Sequence, residues 1–140
     1  MITVSRELRV QTQGADHILD ITPGVRAAVA ESGVTTGQLT VMVIGSTAAL
    51  TTLEYEPGLV QHDVAALLER LAPEDGVYQH ELTWHDDNGH SHLRASLIGP
   101  SLALPIVDGQ IPLGTWQQVV LVECDTRPRD RRLAVTVLGT

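Results

Sequence analysis

The order of apolar segments predicts an α+β domain with a predominantly antiparallel, locally mixed β-sheet and two helices on one side. Most apolar runs are short and bounded by Gly, Pro or Asp-Gly, as strands are. Only two segments, after Thr22 and after Leu59, carry the 3.6-residue period of an amphipathic helix. The strands also come in runs instead of alternating with helices, which argues against a parallel α/β sheet. No linker, repeat or low-complexity stretch divides the 140 residues, so residues 1–140 read as a single domain.

Taken in order, ITVSRELRV (2–10) alternates and reads as an edge strand, followed after Gln13-Gly14 by the short strand HILDI. Thr22-Pro23 supplies an N-cap and a first-turn proline, and Gly33 closes the first helix. LTVMVI (39–44) is a continuous apolar run, as expected of a strand buried on both faces; TAALTTLEYE follows it as another. Glu56-Pro57-Gly58 breaks the sheet, and LVQHDVAALLERLAP is the clearest amphipathic helix. Asn88-Gly89 predicts a two-residue type I′ hairpin. Beyond it come strands at 93–98, 101–107, 111–113, 118–124 and 133–138, with turns at Asp108-Gly109 and Arg127-Pro128.

Composition excludes several chemistries. All nine basic residues are arginine, so lysine Schiff bases and the phosphate-loop lysine are ruled out. A net charge of -8 disfavours nucleic acid. No apolar run approaches the roughly 20 residues that cross a bilayer, and no signal-peptide pattern opens the chain, so no membrane partner is expected and the setting reads as cytoplasmic. The single cysteine, Cys124, lies in VVLVEC and reads as a buried inert thiol.

The chemistry concentrates in YQHELTWHDDNGHSHLR (78–94), which holds four of the six histidines beside Glu81, Asp86 and Asp87. Any one of them reads as a solvated turn residue; the set points to metal or catalysis. A strict hairpin at 88–89 would place His85, His90, His92 and Asp87 on one face, an N/O donor set suited to zinc, nickel or iron. It would leave His80 on the other face unless a wider loop relaxed the register.

Three blocks, GSTAALTTLEYEPGLVQHD, WHDDNGHSHLRASLIGPSLALPIVDGQIPLGTWQQVVLVECD and RDRRLAVTVLG, resemble the YjbQ-type proteins, also called the secondary thiamine-phosphate synthase family. The resemblance implies an α+β subunit in a homotrimer, with a metal-capable histidine pocket near subunit boundaries. The implied activity joins a pyrimidine diphosphate to a thiazole phosphate with loss of diphosphate. The family pattern has histidines at the positions of His80 and His92. One branch also has His-Thr-Ser-Ala or His-Thr-Thr-Ala where this chain has Gly45-Ser46-Thr47-Ala48. His90 and His85 could replace that missing donor. The expected ligands are therefore His80 and His92 first, then His90, then His85, around a divalent ion, zinc foremost.

Glu54, two residues from Glu56 at a strand end, and Asp63 in the family-like block are candidate catalytic carboxylates alongside His80 and His92; Asp63 could hold a histidine tautomer. Arg131 and Arg132, in the arginine-rich DTRPRDRR, and Ser101 are candidate phosphate-binding residues for a phosphorylated small molecule. A solvated turn with both arginines paired to acidic neighbours is the plain alternative. Three functional classes follow: a metal-assisted synthase, a metal- or small-ligand-binding homotrimer without turnover, and a metal-free histidine acid–base hydrolase.

Overall fold

The computed structural model describes all of residues 1–140. Its strands are β1 (Ile2–Gln11), β2 (Ile18–Asp20), β3 (Gly37–Ile44), β4 (Ala48–Glu54), β5 (Ser101–Ile106), β6 (Gln117–Glu123) and β7 (Asp130–Gly139). They form two wholly antiparallel sheets, ordered β1-β7-β3-β5 and β2-β6-β4. The predicted α+β class and antiparallel pairing are borne out, and β1 is an edge strand as its alternation indicated.

Two sheets form, where one was expected, because β6 is apolar on both faces. Val119 and Leu121 join Leu39, Val41, Val43, Leu133, Val135 and Val137 in the core between the sheets. Val120 and Val122 point the other way, into a second core with Ala49, Leu68 and Ala95. A strand buried on both sides needs a layer on each. β7 alternates strictly between buried and exposed, so the outer face of the first sheet is open. Met42 and Ile44 are exposed there, which corrects the reading of 39–44 as buried on both faces.

Helix α1 (Thr22–Ser32) feeds Val25, Ala28 and Val29 into the core between the sheets, and ends at Gly33 with a left-handed φ of 73°. Thr22 is the first helical residue and Ile21 the cap, one residue earlier than predicted. The Thr22 N–H donates to Asp20 Oδ1 at 2.9 Å, which frees the Thr22 hydroxyl to accept the Val119 N–H at 2.8 Å. The second predicted helix opens as one π-helical turn, Leu59–Asp63, and continues as α2 (Val64–Leu71). Glu56 starts it by accepting the Gly58 and Leu59 N–H groups at 2.8 and 2.9 Å. These two bonds hold its carboxyl below the usual range, so Glu56 works as a cap.

The hairpin predicted at Asn88-Gly89 does not form. Residues 78–98 are instead helical, with a single turn α3 (Glu81–Trp84) and a longer α4 (Gly89–Ile98) joined through residues 85–88. His85 and Asp87 adopt left-handed φ of 56° and 55° in that connection, a region that His and Asp enter more readily than most residues. GHSHLRASLI has no β-branched residue before Ile98. Its buried positions 90, 91, 94 and 95 follow a helical period, so the predicted strand at 93–98 is also corrected. Asn88 occupies the residue before the helix, a role asparagine fills as readily as a turn. Asp108-Gly109 does make the primed turn, with φ of 51° and 74° and both backbone bonds between Val107 and Gln110. The ladder stops there, so 111–113 is not a strand. α2 and α4 cover the outer face of the second sheet, through Leu68, Val64, Ala95 and Ile98. The helices are therefore not all on one side.

Candidate functional site

The α3–α4 connection folds the histidine stretch back on itself. The His80 and His92 rings come within 4.6 Å, centroid to centroid, at 42°. His80 Nδ1 also lies 3.4 Å from both Glu81 Oε1 and Asp86 Oδ1. His80, Glu81 and Asp86 offer one donor atom each, all within 4.8 Å of one another. An imidazole and two carboxylates at that spacing fit a divalent first-row ion, with His92 adjacent as a further nitrogen donor.

Glu81 ties this cluster to the helix behind it. Its Oε1 accepts the Gly89 N–H at 2.7 Å, so the carboxylate that faces His80 also caps α4, which carries His92. Partial desolvation pushes the Glu81 carboxyl up; the Gly89 N–H and His80 outweigh it and hold the group below the usual range, ionised near neutrality. No room is left for a side chain at 89, where a Cβ would sit 2.7 Å from the Tyr78 Cβ. On the Asp86 side an acidic cleft of about 690 Å³ includes Glu69, Glu74, Asp75 and Asp87.

The other two histidines stand apart. His85 is exposed and ends α3 with its left-handed φ. His90 is 1% exposed, beneath Tyr78 at 6.3 Å, and its Nδ1 has no hydrogen-bond partner. Desolvation, and then the charge of Arg94, lower its pKa from the ordinary 6.5. His90 is thus neutral when folded and gains protons on unfolding as pH falls below that value. Stability is accordingly lost from about pH 6.5 downward. Urea midpoints at pH 7.5 and 5.5 should fall in the wild type, and the part of that fall due to His90 should vanish in His90→Leu.

The remaining candidates scatter. Glu54 sits at the far end of β4, roughly 20 Å along the strand from Ala48, which lines a recess with His92. Asp63 is exposed at the end of the π-turn and holds no histidine; the imidazole contacts of His80 go to Glu81 and Asp86 instead. Ser101 and Arg132 are exposed on the outer face of the first sheet, and Arg132 is paired to Glu7 at 2.7 Å.

Arg131 points the opposite way and is buried. Its Nε donates to Glu123 Oε2 at 2.8 Å, and its Nη2 to Glu123 Oε1 and to the Thr47 hydroxyl. Thr12 adds a 2.7 Å bond to Glu123, while Asp125 accepts from Thr47 and Arg129. Both arginines are paired to acidic neighbours, as the plain alternative expected, but Arg131 is buried in β7 and lies on no solvated turn. Cys124, next to Glu123, is buried with its thiol pushed up to about 12 by desolvation, hence inert.

Strand parity puts Asp87 in the cluster, whereas the helical connection brings Glu81 and Asp86 there instead. Helical spacing read from Ser91, Ala95 and Ile98 would have found α4. Ser96 was missed as well. It lies one turn beyond His92 and lines with it a recess of about 460 Å³, together with Gly45, Ser46, Ala48 and Pro100.

A two-sheet α+β domain whose helical layer presents a histidine–carboxylate cluster is the class of protein this geometry defines. The chain belongs to the UPF0047, YjbQ-like protein family, whose model matches residues 6–140. It is 37% identical over 139 residues to a UPF0047 protein of Methanothermobacter thermautotrophicus, covering 99% of this chain and 94% of that one. A Synechocystis UPF0047 protein is 38% identical over 133 residues, covering 94% and 89%. Among solved structures, a hypothetical protein from Aeropyrum pernix K1 superposes with a TM-score of 0.89 at 33% identity, covering 98% of this chain and 99% of that chain. A YbjQ-like protein of unknown function from Sulfolobus solfataricus gives 0.87 at 31%, covering 99% of each.

Proposed function

We propose that the His80–His92 cluster is a divalent-metal site serving small-molecule chemistry, and that the reaction is the synthase-like joining of a pyrimidine diphosphate to a thiazole phosphate with loss of diphosphate. The observation that supports this most is the convergence of His80 with His92, Glu81 and Asp86. His80, Glu81 and Asp86 would hold the ion, zinc foremost, with His92 beside them. A bound ion supplies Lewis acidity and neutralises charge on the departing diphosphate. His92 faces the Gly45 recess, where an imidazole can donate to the substrate or accept a proton from it. Purified protein given both phosphorylated substrates with zinc should form product, and His92→Ala should reduce it to background. No product above that control would sink the synthase reading.

The ion pairs of Arg131 and Arg132 favour a second reading, a metal- or ligand-binding protein without turnover, since they leave little charge free for a diphosphate. Zinc and ligand binding with no product would support it. For either reading we take the assembly to be a homotrimer. The open outer face of the first sheet supports this, with Met42, Ile44 and Leu138 about two-fifths exposed. Sedimentation should give about three times the 15.1 kDa chain mass. No helix is long and apolar enough to cross a membrane. We place the protein in the cytoplasm, where its single free thiol persists.

A further inference from the structure

We infer that Gly45 opens the His92 recess onto Arg131, making a subsite for an anionic oxygen group of the ligand. The inference rests on the proposed ligand-handling role of His92 and adds which part of the ligand lies where.

Arg131 is 94% buried by relative exposure. Its guanidinium has five N–H donors. The Nε and Nη2 donors are spent on Glu123 and Thr47, whereas Nη1 donates to no protein group. A donor with no protein acceptor is met by water or ligand where it reaches the surface. Gly45 shows where the opening is: a Cβ built there would lie 2.9 Å from Nη1. The missing side chain at 45 is therefore the space in front of this donor. His90 Nδ1 is the only fully enclosed side-chain polar atom without a partner, so Nη1 must reach the surface.

The rest of the recess has the matching character. Ser46 brings a free hydroxyl and His92 an imidazole, while the Ser96 O–H is spent on the Leu93 carbonyl at 2.8 Å, and no carboxylate lines the recess. That is notable in a chain of net charge -8, whose neighbouring cleft at Glu69, Glu74 and Asp86 is acidic. The His80 side therefore suits a cation and the Gly45 side an anion, with His92 between. Glu123 neutralises the guanidinium, so the subsite donates hydrogen bonds more than it supplies net charge, and an oxyanion shared by phosphate and carboxylate ligands fits it.

The test uses chelator-treated protein, so it does not depend on metal or turnover. Inorganic phosphate, diphosphate and acetate are titrated while the Arg131 side-chain ¹⁵N resonances and the anion affinity are followed. At least one anion should shift the Arg131 resonances, the two phosphates reporting a phosphoryl source and acetate a carboxylate one. Ser46→Ala should weaken that anion about fivefold, and Gly45→Ala, which fills the space before Nη1, at least tenfold. Should Gly45→Ala melt early because of its φ of 132°, the Ser46→Ala comparison decides alone. Anion binding that leaves Arg131 unmoved, no binding of any of the three, or wild-type affinity in Ser46→Ala would overturn the subsite. A synthase assay that fails while Arg131 still responds would count against the proposed reaction alone.

Discussion

Glu123→Gln should destabilise the protein by about 3–5 kcal/mol, the cost of removing one partner from a buried ion pair. Glu123 is fully enclosed, and its two oxygens accept from Arg131, Thr12 and the Asp125 N–H. A neutral amide would keep the shape but present N–H donors where Arg131 and Thr12 already donate. The guanidinium would then face the end of the core uncompensated. For a chain this long, the melting temperature should fall by roughly 10 °C. Chemical denaturation of the two proteins at pH 7 measures the difference. The double variant Glu123→Leu, Arg131→Met should recover much of it, because apolar replacement of a whole buried pair is often neutral or better. A single variant within about 0.5 kcal/mol of wild type would mean that the network carries little of the fold's stability.

His80→Ala should lower zinc affinity by more than about 100-fold, since even partners outside the coordination shell commonly cost 10- to 100-fold. His80 is the residue through which the cluster is joined, with contacts to Glu81, Asp86 and His92. His85→Ala should leave the affinity within about threefold, because His85 is exposed at the end of α3 and belongs to no donor group. Competition titration with a zinc indicator separates the two. Equal losses in both variants would indicate loose, surface-held zinc.

Particular residues show what the sequence could convey. The alternation of β1 and the proline-to-glycine frame of α1 were legible because strand parity and capping are local properties. The stacking of two sheets was not, because it depends on β6 being apolar on both faces, and a short apolar run does not say what covers it. Asn88-Gly89 misled because the same two residues that make a primed turn also open a helix. Only the buried period at 91, 95 and 98 tells them apart. The pairing of His80 with His92 came from the family resemblance, and hairpin parity argued against it. Arg131 looked like part of a solvated turn, whereas β7 begins at Asp130 and Arg131 takes its first inward position. A boundary shifted by one residue turns an exposed arginine into a buried one.

His80, Glu81 and Asp86 are expected to hold one cation beside His92. Anomalous diffraction at the zinc edge, from crystals grown with zinc, locates that cation. One strong peak is expected about 2.0–2.2 Å from His80 Nδ1 and from an oxygen of Glu81 or Asp86. A zinc peak on His90 or His85, or none beside His80 at saturating zinc, would contradict it.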